Sequence, residues 1–403
     1  MTLKPGIDTT VLTLLVGRAL RAFADGYVAV LLPAYLLALG LSQFDVGLVS
    51  TATLAGSALA TLAVGAIGYR WPLHRLLLAA ALLMSGTGLG FAMLSSFWPL
   101  LVVAFVGTLN PSSGDVSVFL PLEHARIASA AAGDRRTVLF ARYSLTGSLC
   151  AALGALASAI PSLLTARAGL PLLASLRGMF LLYGLIGAAV WLLYRKLPTD
   201  KVESAHAPAA LGPSRGIVFK LAALFSVDAF AGGLVVNSLL ALWLFQRFGL
   251  SVAQAGVFFF WAGLLSAGSQ LAAPVVARRI GLLNTMVFTH IPANVCLILA
   301  ALAPSLETTM ALLFVRSALS QMDVPTRTAF VMAAVTPAER AAAASFTAVP
   351  RSLASAASPT LAGALLAAGL LSAPLVACGA LKIAYDVTLL ISFRRMNLSL
   401  DRE

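Results

Sequence analysis

Residues 18–25 read RALRAFAD and lie within a long apolar stretch of the chain. Spacings of three and four residues put Arg18, Arg21 and Asp25 on one face of a helix. The flanking segments are almost wholly apolar, which indicates a helix that spans a membrane. A charged side chain at mid-bilayer costs about 3 kcal/mol even on the mildest scale, so such residues normally face a bundle interior or a water-filled cavity. The sequence therefore predicts a polar passage around these three charges.

The composition is that of a polytopic membrane protein. The 403 residues are 60% hydrophobic and 10% charged, with a mean hydropathy of +0.95, whereas charged residues make up about a quarter of a soluble domain. At about 20 residues per span, this length allows about twelve helices and leaves no room for a sizeable soluble domain. The predicted fold is all-α, with twelve transmembrane helices in two pseudo-symmetric six-helix bundles.

The positive charge has a pattern typical of membrane topology. Of the 27 Lys and Arg residues, 18 fall on one side of the predicted spans, 3 on the other and 6 within spans. This positive-inside distribution predicts that both termini are cytoplasmic. The net charge of +12 does not indicate nucleic acid, because the basic residues are not clustered on one solvated face. We expect an integral, monomeric protein of the bacterial inner membrane that contacts the lipid bilayer and binds no nucleic acid, cofactor or metal.

The predicted spans form two groups of six, separated by one polar stretch. This stretch, residues 197–214, is rich in Pro, Ala and charge and is predicted to be a flexible cytoplasmic linker. It divides an N-terminal bundle, residues 1–196, from a C-terminal bundle, residues 215–403. By hydropathy the spans are 11–37, 45–68, 73–93, 97–121, 138–161, 173–194, 217–245, 252–276, 283–304, 307–330, 342–369 and 372–396.

The two groups of spans repeat each other in sequence. Residues 40–75 align without gaps to residues 249–284, with 10 identities in 36 positions, and both copies begin with Gly-Leu-Ser. Two six-span repeats in parallel register predict a rocking-bundle transporter whose site lies at the interface between the repeats.

The loop after the second span carries a family signature. Residues 65–75 read GAIGYRWPLHR, in which Gly65 and Arg70 match the pattern G-x-x-x-D-R-x-G-R, whereas a tyrosine and a proline replace the acid and the second glycine. The repeat copy keeps Arg279 and also lacks the acid. Over essentially its whole length the chain resembles a twelve-span, efflux-permease-like member of the major facilitator superfamily of secondary transporters, with a degenerate signature loop.

The resemblance implies alternating access, with spans 1, 4, 7 and 10 lining the passage and spans 2, 5, 8 and 11 assisting. The charged residues that this mapping brings to the passage are Arg18, Arg21, Asp25, Asp228, Arg316 and Arg351. Guanidinium groups bind carboxylate, phosphate or sulfonate in bidentate geometry. Arg21 and Arg316, flanked by the other two arginines, are therefore predicted to bind an acidic group on a small-molecule substrate. The alternative is that Arg21 pairs with Asp25, and Arg316 with Asp228, as structural ion pairs.

Asp25 and Asp228 are candidate proton carriers, because burial favours a protonated carboxyl group and a neighbouring guanidinium favours the ionised form. An anionic substrate that draws Arg21 away from Asp25 would favour protonation and give symport. A cationic substrate would compete with the proton and give antiport. The sequence leaves efflux and uptake open.

Further charges are predicted at the cytoplasmic membrane surface, in repeat-related places. Four of them are predicted to form a cytoplasmic gate: Arg70, Asp115, Arg279 and Asp323. Glu123, Asp134 and Glu339 occupy related positions near that surface. Lys382 and Asp386 are spaced i, i+4 in the last span, which predicts that they neutralise each other.

The sequence favours a transporter over an enzyme. A membrane-embedded enzyme would need paired catalytic acids, a Ser/His arrangement or a His-metal cluster at one depth, and the chain has no such set. The alternatives to a transporter are a membrane-embedded enzyme and a transport-inactive sensor.

Overall fold

The computed structural model of the protein describes residues 9–112, 117–130, 134–199, 211–336 and 339–394. All elements in these ranges are helical, as the sequence predicts, and the 3-10 helix η1 (Gly68–Arg70) follows α2. The α-helices are α1 (Thr9–Ala38), α2 (Gln43–Ile67), α3 (Leu73–Met93), α4 (Phe97–Val106), α5 (Phe119–Ala130), α6 (Asp134–Ala157), α7 (Ile160–Ala168), α8 (Leu172–Tyr194), α9 (Arg215–Gly233), α10 (Asn237–Phe248), α11 (Val252–Ile280), α12 (Leu282–Leu302), α13 (Leu306–Leu319), α14 (Asp323–Ala334), α15 (Arg340–Ala357), α16 (Pro359–Ala367) and α17 (Ala373–Phe393).

The helices do not match the twelve predicted spans one for one. Among the described residues, nine helical segments are long and apolar enough to cross a membrane. The three remaining predicted spans, 97–121, 307–330 and 342–369, each correspond to two consecutive shorter helices: α4 and α5, α13 and α14, and α15 and α16. Two further predicted spans, 138–161 and 217–245, are divided in the same way, between α6 and α7 and between α9 and α10, so the count of twelve helices is not exact.

The interruption between α4 and α5 follows from the local sequence. Gly107 is extended, with φ −78° and ψ −169°, and Pro111 lacks the amide hydrogen that a continuing helix needs. Thr87 Oγ1 accepts a hydrogen bond of 3.2 Å from the Thr108 amide, and Pro111 O accepts one of 3.0 Å from the amide of Ser238 in α10. Irregular backbone at membrane depth is tolerated where the protein satisfies its polar groups. The broken α4–α5 segment therefore meets the equally interrupted α9–α10 segment inside the bundle.

Helix α1 is the most deeply buried of the nine membrane-spanning segments. The buried share of its most apolar window is 78%, against 28–56% for the others. It packs against α6 and α8, and also against α10 and α11. We call helices α1–α8 the N half and helices α9–α17 the C half. Helix α1, which carries the RALRAFAD segment, therefore lies at the centre of the molecule, where both halves contact it.

The repeat recognised in the sequence has the same local structure in both copies. Gly40 and Gly249 have φ of 82° and 65°, a left-handed conformation that glycine adopts without steric cost. Ser42 and Ser251 then cap α2 and α11, and each forms a capping box with the side chain three residues further on. The second helix of each repeat therefore starts from the same kind of turn.

The two halves pack closely where α2 and α11 begin, which we call the sealed end. A Cβ added to Gly47 of α2 would lie 2.6 Å from Pro359 O, and one added to Gly256 of α11 would lie 2.5 Å from Ala155 O. Toward the opposite end, where α8 ends and α9 begins, α2 separates from the C half. Gly65 lies about five turns after Gly47 on the same face of α2, yet it is exposed and its Cβ would meet no atom within 4 Å. We call this second end the linker end.

The Glu339 carboxylate links the starts of α9 and α15 by hydrogen bonds at the linker end. It accepts hydrogen bonds from Ser214 Oγ at 2.6 Å, from Thr336 Oγ1 at 2.5 Å and from the Gly212 amide at 2.6 Å. These bonds stabilise the ionised form and lower the pKa of Glu339 to about 2. The carboxylate therefore stays charged at neutral pH and holds the start of α9 against the start of α15.

Candidate functional site

The first charged cluster lies inside the N half, around Glu123. The Glu123 carboxylate, on α5, accepts hydrogen bonds from Arg21 of α1, Tyr143 of α6 and Tyr194 of α8. Arg21 and Glu123 are only 2% and 0% exposed. Arg21 Cζ also lies 4.0 Å from the centroid of the Phe119 ring, a cation–π contact. We call Arg21, Glu123, Tyr143 and Tyr194 the Glu123 cluster; it joins four helices around one ion pair.

Asp25 is not the partner of Arg21, so the predicted ion pair within α1 is wrong. Side chains in a helix lean toward its N-terminus, so the long Arg21 side chain extends away from Asp25, one turn later, and toward Glu123. Asp25 is 8% exposed and accepts a long hydrogen bond of 3.5 Å from the Tyr183 hydroxyl. Among the described residues no cation lies within ion-pair distance of Asp25, although Arg18 and Arg21 act on its charge.

Arg18 is partly exposed on α1, one turn before Arg21. Its Cζ lies 5.1 Å from the centroid of the Tyr143 ring, and its Nε has no hydrogen-bond partner within the described ranges. Gly147 of α6 provides the space for this side chain, since a Cβ at that position would lie 2.4 Å from Arg18 Nε. The guanidinium of Arg18 thus packs on an aromatic ring without a carboxylate partner in the part of the chain that the structure describes.

The second charged cluster lies inside the C half. Asp228 of α9 accepts a hydrogen bond of 2.5 Å from Lys382 Nζ of α17 and one of 3.1 Å from Arg327 Nη1 of α14. The same Arg327 nitrogen lies 3.4 Å from Asp323 Oδ2. We call Asp228, Asp323, Arg327 and Lys382 the Asp228 cluster; its two acids and two cations neutralise each other. The predicted alternative pairing of Asp228 with Arg316 is therefore wrong.

Lys382 and Asp386 do not neutralise each other as predicted. Lys382 turns to Asp228, and Asp386 pairs with His290 of α12, whose Nδ1 lies 3.0 Å from both carboxylate oxygens. The i, i+4 rule describes exposed helix faces, where two side chains have only each other and water. On α17 both side chains point into the bundle, and charges on neighbouring helices are closer.

Arg316 and Arg351 remain the two other arginines predicted to face the passage. Both are partly exposed, on α13 and α15. Among the described residues Arg316 has no hydrogen bond or ion pair, and its Nε is buried without a partner. An unpaired guanidinium between helices can accept an anion from outside the protein.

The three gate residues that the structure describes, Arg70, Arg279 and Asp323, form no ion pair with one another. Asp115 lies outside the described residues. Arg70 and Arg279 are exposed at the linker end, at the close of η1 and of α11. Asp323 is buried and belongs to the Asp228 cluster.

Sequence reasoning missed several buried charges that the structure brings to these clusters. Glu123 was expected near the membrane surface, and the sequence pattern singled out neither Arg327 nor His290 for the interior. The burial of Lys382 and Asp386 could have been predicted from the sequence. Charges within the apolar run of α17 should face the bundle interior, as those of α1 do. No comparable signal marks Glu123, because its position depends on the break that precedes α5.

The chain is similar to known membrane proteins over most of its length. The sequence profile of the Major Facilitator Superfamily matches residues 14–359. An uncharacterized membrane protein of Saccharomyces cerevisiae, YJR124C, is 25% identical over 344 residues, which cover 76% of this chain and 77% of the yeast protein. The nucleoside transporter NupG has a TM-score of 0.71 at 15% identity, covering 96% of this chain and 99% of NupG. The human organic anion transporter MFSD10 has a TM-score of 0.68 at 18% identity, covering 96% of this chain and 100% of MFSD10. With a family match of this extent and a fold shared with solved transporters, the chain belongs to the Major Facilitator Superfamily.

Proposed function

We propose that this protein is a secondary active transporter that moves a small organic solute with an acidic group, together with protons, by alternating access. The family supports the transporter class. The interrupted helices and buried charges of the two repeated halves support a passage for the solute between them. In this proposal residues 1–196 and 215–403 rock about the site while the linker 197–214 follows. The excess of Lys and Arg on the side of the linker supports a cytoplasmic location for the linker end. Because the halves are closed at the sealed end and separate at the linker end, this conformation is then inward-facing.

The unpaired arginines are the observation on which the proposal depends. Arg18 and Arg316 belong to opposite halves, lie within membrane-depth helices and have no carboxylate partner among the described residues. A guanidinium left in a low-dielectric interior gains most from a bidentate anion. We therefore assign the direct contacts to Arg18 and Arg316, with Arg351 flanking them. Arg21 takes a structural role, because its charge is already paired with that of Glu123.

Asp25 is the proton carrier in this proposal. It is buried, it forms no ion pair with any described residue, and the charges of Arg18 and Arg21 act on it. An anion bound at Arg18 cancels part of that attraction and favours the protonated acid. Solute and proton then bind together, so an inward proton gradient drives uptake of an acidic solute. A cationic solute would instead compete with the proton at Asp25 and be exported, and the two unpaired guanidinium groups favour the first outcome.

Arg316→Gln tests the assignment of the acidic group. Purified protein in liposomes is offered benzenesulfonate, which stays ionised at all relevant pH values, and its neutral and cationic analogues benzenesulfonamide and benzyltrimethylammonium. Because hydrogen bonds to a charged group contribute about 1.5–3 kcal/mol, the affinity for benzenesulfonate is expected to fall about tenfold to a hundredfold. The affinity for benzenesulfonamide should change little.

Arg247→Gln is the matched control for this assay, because Arg247 is exposed at the sealed end of α10 and should leave all three affinities unchanged. Wild-type protein that prefers the cationic analogue would contradict the acidic solute. Equal losses for the sulfonate and the sulfonamide in Arg316→Gln would give Arg316 a structural role.

Asp25→Asn is expected to reduce proton movement by at least half, while exchange of labelled benzenesulfonate across the membrane continues. The amide keeps the size of the side chain and can still accept the Tyr183 hydrogen bond, but it binds no proton. A pH dye trapped in the liposomes reads the proton flux that a benzenesulfonate gradient drives. Asp45→Asn, at the cap of α2, provides the control. Proton flux that stays at the wild-type level in Asp25→Asn would exclude this residue as the carrier.

A further inference from the structure

The C half contains a second buried pair whose charge depends on a proton. His290 of α12 and Asp386 of α17 are 4% and 0% exposed. His290 Nδ1 lies 3.0 Å from each carboxylate oxygen of Asp386, a geometry in which an Nδ1–H donates to an ionised acid. With a neutral imidazole the pair carries one negative charge, and with an imidazolium it carries none. This pair is separate from Asp25 and from the arginines assigned to the solute.

The pair is surrounded by charges that cancel among themselves. The Asp228 cluster beside it has two acids and two cations, and both Asp228 and Lys382 act electrostatically on Asp386. The buried or partly buried titratable and charged groups on the described elements around the pair are Asp228 of α9, Cys296 of α12, Arg316 of α13, Asp323 and Arg327 of α14, and Cys378, Lys382 and Tyr385 of α17. The other charged residues of α9 and α13, Arg215, Lys220 and Glu307, are exposed. On α11 the charged residues Arg278 and Arg279 are exposed at the linker end. The one cation in this set without an acid is Arg316.

Arg316 lies near the depth of the pair, on the helix that follows α12. Helices α12 and α13 run antiparallel from the turn that joins them, where Ala300 O accepts a hydrogen bond of 3.4 Å from Thr309 Oγ1. Seven residues further along each helix, Arg316 is level with Ala293 of α12, about one turn from His290. Packed helix axes are about 8–10 Å apart. At about 10 Å inside a protein, removing one positive charge changes a proton-binding equilibrium about tenfold.

We infer that His290 and Asp386 form a second proton-binding site, whose occupancy rises when an anion neutralises Arg316. While Arg316 is free, its positive charge balances the unprotonated pair. When an anion binds there, a proton on His290 restores the balance, because a buried group of charges is most stable near neutrality. This inference rests on the proposed function for the identity of the anion, and it accounts for the proton movement expected to survive in Asp25→Asn.

The test uses Arg316→Gln as a permanent substitute for the bound anion, so it needs no solute. Full-length protein labelled with ¹⁵N-histidine contains four histidines, and His290→Gln identifies the His290 signal by its loss. If that variant does not fold, Gln at the other three positions assigns the signal by elimination. Between pH 5 and 8 the ratio of imidazolium to imidazole at His290 is expected to be about tenfold higher in Arg316→Gln than in the wild type.

Arg247→Gln, which removes a distant exposed arginine, should leave the His290 ratio unchanged. An equal ratio in the wild type and Arg316→Gln would overturn the coupling, and a His290 that keeps one charge state throughout this pH range would overturn the site. Neither result depends on benzenesulfonate, so failure of this inference and failure of the acidic-solute proposal are separate outcomes. The complementary measurement is the number of protons taken up per benzenesulfonate bound, which should fall in His290→Gln and not in His74→Gln.

Discussion

Glu123→Gln is expected to lower the free energy of unfolding by about 3 to 5 kcal/mol, the usual cost of removing one partner from a buried ion pair. Arg21 is 2% exposed and Glu123 is its ion-pair partner among the described residues. The amide keeps the shape of the side chain and part of its hydrogen bonding, but leaves a guanidinium without a counter-charge inside four packed helices. Denaturant titration of the protein in detergent measures the change.

A double-mutant cycle separates the charge from the shape of this cluster. Arg21→Gln combined with Glu123→Gln removes both charges, so the double variant should be more stable than Glu123→Gln alone. Glu307→Gln, an exposed acid in the first turn of α13, is the matched control and should cost less than about 0.5 kcal/mol. If Glu123→Gln costs no more than Glu307→Gln, the Glu123 cluster does not hold the N half together.

The sequence predicts the fold well where hydropathy and repetition determine it. The run around RALRAFAD, the Gly-Leu-Ser turns and the all-helical class follow from composition, spacing and self-similarity, and the structure reproduces them in α1, α2 and α11. Hydropathy averages over a window, however, and does not resolve a few residues of irregular backbone. The break after Gly107 therefore appears in the sequence as part of one continuous span.

The candidate site is predictable in its residue types and not in its contacts. The rule that intramembrane charges face the interior correctly selects Arg21, Asp25 and Asp228 as buried. Pairing, by contrast, depends on which side chain of a neighbouring helix reaches the same depth. Glu123 reaches Arg21 because α4 ends at Val106 and a new helix begins at Phe119. A continuous helix would have placed Glu123 at the membrane surface. For the same reason the sequence pairs Lys382 with Asp386 of its own helix, whereas the structure pairs it with Asp228.

Gly256→Leu is expected to abolish transport, with a rate at least tenfold below the wild type, because the sealed end no longer closes. A side chain at this position overlaps the backbone of α6, where a Cβ alone would lie 2.5 Å from Ala155 O and 2.4 Å from Ser158 Oγ. Alternating access requires each end to close in turn, so a permanently open sealed end leaves binding intact and stops turnover. Gly268→Leu on the same helix is the control, because a Cβ there meets no atom within 4 Å.

The accessibility of a cysteine at the sealed end shows whether Gly256→Leu holds that end open. Ser50 is 0% exposed and lies 3.2 Å from Ser238 of the C half, so a cysteine placed there by Ser50→Cys should react slowly with a membrane-impermeant maleimide. In a background lacking the native cysteines, the reaction from the sealed side is expected to become at least tenfold faster with Gly256→Leu and to stay slow with Gly268→Leu. A slow reaction in both would mean that the added side chain is accommodated with the end still closed. The close approach at this repeat glycine would then not be what seals the passage.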